Sequence, residues 1–144
     1  MASRQKKKIT YRAGVIPYYI TDKDKVQMLF MKPALAAFGG KEFQIAKGKH
    51  DPGESAHIAA FREAHEELGL KKENVGLIYQ LGVYLGYTTI FLAHVLSQDD
   101  FDDYHFETSE TKWMTAEQFA KAGRDLHKPI VRAAINYINY EEGL

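Results

Sequence analysis

The segment GKHDPGESAHIAAFREAHEELGL, Gly48 to Leu70, holds four glutamates and one arginine, with three of the glutamates crowded at Glu63, Glu66 and Glu67. Asp51-Pro52-Gly53 marks a turn, Ser55 suits a helix N-cap, and Gly69 suits the left-handed residue that closes a helix. The spacing predicts a helix from Ser55 to Leu68. With Phe61 set at zero and a helical step of about 100°, Ala64, Leu68 and His57 fall within about 60° and form the expected buried stripe. Glu66, Glu63 and Glu67 then fall near about 140°, 200° and 240°, with the small Ala59 near about 160° leaving room beside them. Glu63 and Glu67 stand four apart with the same sign, which costs roughly a few tenths of a kcal/mol in a helix. One reading is a solvated face whose charges are screened. The other is a hard divalent cation, Mg²⁺ or Mn²⁺, held on clustered oxygen ligands and compensating the repulsion.

Outward from this segment the chain alternates strand and turn signals. YRAGVIPYYI and VQMLFMK read as strands, and Pro17 in the first suggests an edge position or a bulge. PALAAFGGKE reads as a loop punctuated by Pro33 and Gly39-Gly40, and FQIA as a short apolar run entering the segment. VGLIYQLGVYLGYTTIFLAHVL is rich in β-branched and aromatic residues and reads as two strands joined by a tight turn. An acidic loop, SQDDFDDYHFETSE, precedes the brief strand TKWM; Thr115 caps a helix over AEQFAKA, and Lys128 to Tyr140 reads as a closing amphipathic helix. Trp113 is expected in the core beside the closing helix.

The 144 residues fit one domain, expected over residues 9–144 after a flexible basic tail at residues 1–8. Nineteen basic and nineteen acidic residues cancel, so net charge selects no class of partner. The chain has no cysteine, which excludes disulfides, thiolate metal sites and a cysteine nucleophile. The start MASRQKKKIT leads into no apolar signal segment, and no later apolar run reaches membrane-spanning length. A soluble cytoplasmic protein without a membrane partner is the expectation, as a monomer or a homodimer.

Written as a pattern, the segment is G-x5-E-x7-R-E-U-x-E-E-x-G-U, with Gly48, Glu54, Arg62, Glu63, Ala64, Glu66, Glu67, Gly69 and Leu70 in the specified places. It resembles the Nudix box, the signature of the Nudix hydrolases, and departs only at Ala64, which is smaller than the usual aliphatic residue. The order of the other elements resembles that family too. The resemblance implies an α/β fold, an α/β/α sandwich around a mixed β-sheet, and hydrolysis of a nucleoside diphosphate linked to another moiety by water and a divalent cation.

Carried onto this chain, the resemblance makes Glu66 and Glu67 metal ligands and Glu63 either a further ligand or the base that activates water. Gly48 offers its carbonyl to the same cation, Arg62 holds Glu63 by a charge-assisted hydrogen bond, and Glu54 braces Arg62. Some family members take the base from a loop, where Glu107 and Glu110 are the candidates here, and Glu110 is also a candidate ligand. Lys47 and Lys49 flank Gly48 as candidate phosphate contacts. Phe43, Tyr84 and Tyr87 are candidates to stack on a base, although a hairpin aromatic also serves as core.

Tyrosines after the box and the motif AKGK..PGE look like those of diadenosine polyphosphate hydrolases. An ADP-ribose or FAD pyrophosphatase, an RNA 5′ pyrophosphohydrolase drawn to its polymer by the basic tail, and a non-catalytic nucleotide-binding module are the other readings.

Overall fold

The computed structural model describes residues 8–35 and 40–144. Residues 1–7 of the expected tail and Gly39 of the expected loop lie outside that range. Six strands and three helices follow in the order β1 (Arg12–Ile20), β2 (Val26–Pro33), β3 (Ala46–Lys49), α1 (Ala56–Leu68), β4 (Val75–Tyr84), β5 (Thr88–Val95), β6 (Thr108–Met114), α2 (Ala116–Ala122) and α3 (Lys128–Glu142). Short 3-10 turns occupy Lys72–Asn74 and Asp125–His127. Among the described residues no helix is long and apolar enough to cross a membrane.

The strands form one mixed sheet in the order β4-β5-β1-β2-β6, with β3 also paired to β1. β1 runs parallel to β5 and antiparallel to β2 and β3. Because side chains alternate across a strand, β1 feeds two cores. Ala13 and Val15 join Ala59, Ala60, Phe61, Ala64 and Phe91 beneath α1, while Ile16 and Tyr18 join Phe30, Ile90, Leu92, Phe119 and the α3 residues Ile130, Val131, Ala134 and Ile138. A strand buried on both faces must be apolar throughout, which explains why β1, β2 and β5 lack polar alternation. The result is the expected sandwich.

Local signals set most element ends. Ser55 Oγ accepts the Ile58 N–H at α1, and Gly69 closes that helix with φ 75°. Thr115 and Gln118 form a reciprocal capping box at α2.

Several expectations need correction. Pro17 lies in the central strand, at the gap where pairing passes from β3, opposite residues 12–15, to β2, opposite residues 18–20. A missing N–H is tolerated on the side where neither β3 nor β2 continues the ladder, while pairing with β5 runs on with Pro17 opposite Ala93. The FQIA run only grazes its neighbours through bridges at Phe43 and Gln44, and the regular strand begins at Ala46. Pro33 ends β2 rather than opening a loop, and β6 starts at Thr108, earlier than TKWM.

His57 is exposed and stacks on Phe61, with ring centroids 4.9 Å apart, whereas Ala59 is fully buried. The reason is that α1 rests on both β1 and β3. Its buried surface is therefore wider than one stripe, and it includes Glu67.

Candidate active site

Arg62 sits at the centre of the segment's charges. Its Nε and Nη2 donate to the two carboxylate oxygens of Glu54 at 2.8 and 2.9 Å, a bidentate fork. Its Nη1 donates to Glu63 Oε1 at 2.9 Å, and its Nη2 also donates to the Lys49 carbonyl at 3.0 Å. Asp51 Oδ2 approaches Nε at 3.3 Å and Glu66 Oε1 approaches Nη1 at 3.4 Å. Glu54 accepts the Asp51 N–H at 2.7 Å as well. These donors, Arg62 first, hold the Glu54 carboxyl down at about 2. Arg62 thus ties the loop entering α1 to the helix itself.

Glu63 and Glu67 are in the opposite condition. Glu67 is only 7% exposed and accepts a hydrogen bond from the Lys47 N–H at 3.2 Å. Burial pushes its carboxyl well up, and the neighbouring Glu63 pushes it further. Burial also raises Glu63, against the pull of Arg62. Two carboxylates in one partly dry site carry more negative charge than their donors offset.

That surplus, and an all-oxygen donor set, fit a hard divalent cation. Among the described residues no three acidic or histidine side chains yet converge around a common point. Glu66 is drawn to Arg62, with a side chain 37% exposed.

Gly48 is required by Glu63. A Cβ at Gly48 would fall on the Glu63 carboxyl group, so the bare backbone is what lets that side chain lie against β3.

The other expected residues divide. Lys47 is half-buried and faces two sets of charges, Glu67 and Glu63 on one hand and Arg124 and Arg12 on the other; burial and the two arginines lower its ammonium. Lys49 is exposed and engages Arg62 through its carbonyl. Phe43 and Tyr84 are half-buried against the core that lies under α3. Tyr87 belongs elsewhere, edge-on to Tyr11 with centroids 5.4 Å apart, and Tyr11 in turn neighbours His50.

Glu107 is half-buried, and its charge reaches Glu67. Glu110 is exposed on β6, on the side of the sheet that carries Met114 rather than Trp113, and Lys32 Nζ lies 3.8 Å from it. Trp113 packs edge-on to Phe101 beneath α1 and not beside α3 as expected, because strand alternation sends Met114 to the α3 face and Trp113 to the other.

Sequence reasoning missed Arg12, Arg124 and His127, all close to Lys47. Only the crossing of β1 and the turn after α2 brings them together, and no spacing along the chain signals that.

The family described as NUDIX domain matches residues 10–134. The chain belongs to the Nudix family. It has the α/β Nudix fold, and Nudix hydrolases generally use divalent metal ions.

Over 50 residues it is 42% identical to an RNA pyrophosphohydrolase of Shewanella pealeana. That match spans 35% of this chain and 29% of the relative. The fold is similar to that of an Ap4A hydrolase from C. elegans, seen in a binary complex, with TM-score 0.72, 22% identity, and 90% and 98% of the two chains covered. It is also similar to the NUDIX domain of Shewanella oneidensis NrtR complexed with ADP ribose, with TM-score 0.69, 13% identity, and 92% and 90% covered. At these identities the two structures establish the fold.

Proposed function

We propose that this Nudix protein is a Mg²⁺-dependent hydrolase of dinucleoside polyphosphates, with Mn²⁺ as the alternative metal. The observation that carries the reading is the juxtaposition at Lys47. Its backbone N–H binds the surplus carboxylate Glu67 while its own ammonium lies between the cations Arg124 and Arg12 and the carboxylates Glu67 and Glu63. A site with excess negative charge beside excess positive charge suits a metal cation and a phosphate chain bound side by side.

Glu66, Glu67 and the Gly48 carbonyl are assigned to the metal, with Glu63 as a ligand or the base. When bound, the metal supplies charge neutralisation at the phosphates and a more acidic water. Arg62 and Glu54 keep Glu63 in place through the contacts at 2.9 and 2.8 Å. Glu107 is the second candidate for taking the proton from water, supported by the reach of its charge to Glu67. Lys47 contacts phosphate, and Phe43 and Tyr84 flank a base. Lys49 contributes at the rim, and Tyr87 is too far into the Tyr11 group to be preferred for stacking.

The likeness to the Ap4A hydrolase supports the substrate class. The stretch 42% identical to an RNA pyrophosphohydrolase favours a second reading, removal of pyrophosphate from an RNA 5′ end.

Incubation with Mg²⁺ and a panel of diadenosine tetraphosphate, ADP-ribose, FAD, a nucleoside triphosphate and a 5′-triphosphorylated RNA, with products resolved by ion exchange, tests the proposal. ATP plus AMP as the dominant products support it. AMP plus ribose 5-phosphate, or pyrophosphate from RNA, as the dominant product overturns the substrate assignment and leaves the chemistry.

A further inference from the structure

Next to the carboxylates lies a second unbalanced charge set of opposite sign. Gly14 of β1 stands opposite Lys47 and Arg12 opposite Lys49, so Arg12 and Lys47 are diagonal neighbours on one face of the antiparallel pair. Arg124 comes from the turn after α2. Its backbone N–H donates to the Phe43 carbonyl at 2.8 Å, and its Nη1 donates to Gln44 Oε1 at 3.2 Å. Among the described residues none of Arg12, Lys47 or Arg124 has an acidic partner within ion-pair distance.

Behind them His127 is fully buried. Its Nδ1 accepts the Ile45 N–H at 3.1 Å, which leaves the proton on Nε2, and that buried N–H has no acceptor among the described residues. Burial and the charges of Lys47 and Arg124 hold the ring neutral, with its pKa down at about 3.

Three neighbouring cations with no ion-paired acid repel one another, the charges of Glu67 and Glu63 act against this at Lys47 alone, and the partial burial of Lys47 adds a desolvation cost. Native proteins leave such clusters where an anion completes them. The neutral Gln44 orients the Arg124 fork without neutralising it. His127 pins Ile45, two residues before Lys47 and just ahead of β3, without adding charge, and is a positioning residue here. Lys47 is the joint, because its main-chain N–H is held by Glu67 while its ammonium lies within reach of the arginines on one hand and of the Glu67 and Glu63 carboxylates on the other.

We propose that Arg12, Lys47 and Arg124 form a subsite for the phosphates of the chain that lie beyond those held at the carboxylates, and thereby select substrates with three or more linked phosphates. This rests on the hydrolase reading above and narrows its substrate class. A two-phosphate linkage is fully engaged at the carboxylate end and leaves the arginines without an anion, whereas a longer chain extends past Lys47 to reach them.

The test has a binding arm and a kinetic arm. The intact protein in EDTA is titrated with inorganic tripolyphosphate by calorimetry, and the same protein with Mg²⁺ is assayed on diadenosine tetraphosphate and on FAD. The expected result is saturable tripolyphosphate binding, weakened at least about fivefold in Arg124→Gln and in Arg12→Gln, with Arg124→Lys intermediate because it restores charge but not the fork. The ratio of kcat/KM for the tetraphosphate to that for FAD should fall at least about fivefold in both glutamine variants, mainly through KM.

Unchanged tripolyphosphate affinity in both variants, or an equal loss on both substrates, overturns the subsite. Arg12 lies outside the α2–α3 turn, so a folding defect confined to Arg124→Gln leaves the Arg12 result decisive. Weakened tripolyphosphate binding with no hydrolysis of any dinucleotide would sustain the subsite and sink the hydrolase reading. Hydrolysis without tripolyphosphate binding would do the reverse.

Discussion

A Cβ on Gly48 would occupy the place of the Glu63 carboxyl group. The first glycine of the box and its first helical glutamate are thus one steric unit, although the loop and a turn separate them in sequence. Gly48→Ala should fold, because the obstructed atoms are the far end of a flexible side chain. It should also displace Glu63 from the 2.9 Å contact with Arg62. The expected outcome is a loss of about a hundredfold in kcat, the scale of a misplacement of about 1 Å, with little change in far-UV circular dichroism. Wild-type turnover in this variant would show that Glu63 need not lie against β3.

Glu66→Gln and Glu67→Gln should each lose at least about two orders of magnitude in kcat if both carboxylates serve the metal. Thermal melting would check that the variants remain folded. Unchanged turnover in both would end the metal assignment.

The buried pair makes a prediction about pH and metal removal. Glu67 and Glu63 hold their protons more tightly in the folded protein than at the ordinary value of 4.5. Their effect on stability is therefore absent below that value, and destabilisation grows as pH rises above it toward the raised folded values. In EDTA the melting temperature should fall between about pH 5 and about pH 8, and Glu67→Gln should blunt the fall. Added Mg²⁺ should raise Tm more at the higher pH, because it binds the ionised pair. A flat profile in EDTA, or a metal effect independent of pH, would contradict the charge surplus.

Glu54 behaves in the opposite sense. Its carboxyl is held at about 2 against an ordinary 4.5. The stability it contributes is present above about pH 4.5 and is lost as pH falls through about 2. Acid unfolding of Glu54→Gln, compared with wild type by fluorescence of Trp113, should show a shallower loss across that window. Identical acid limbs would mean that the Arg62 fork does not persist in solution.

Asn74 anchors the start of β4. It is 1% exposed, donates through Nδ2 to the Ser97 and Asp100 carbonyls at 2.8 and 2.9 Å, and accepts the Ser97 N–H at 2.9 Å. Asn74→Ala leaves three main-chain groups without their partner and should cost on the order of 3 kcal/mol in urea unfolding, with kcat retained. A loss below about 0.5 kcal/mol would mean that water replaces the side chain.

Much of this protein is determined by the sequence alone. The caps Ser55, Gly69 and Thr115, the tight turn between β4 and β5, and the apolar runs of β1, β2 and β5 are signals that act within a few residues, so they survive reading in one dimension. The box is equally local, and the identities of its side chains carry the likeness to the family.

Tertiary structure decided what those side chains meet. Whether Glu67 faces water or the Lys47 N–H depends on α1 lying across β3 as well as β1. Pro17 is central rather than at an edge because two partners share one side of β1. Glu110 pairs with Lys32 through strand register, and Arg12, Lys47 and Arg124 converge only when a strand, its neighbour and a distant turn close on one another. Charge compensation and burial are set by neighbours in space, and a linear pattern specifies those neighbours only where the chain is still close to itself.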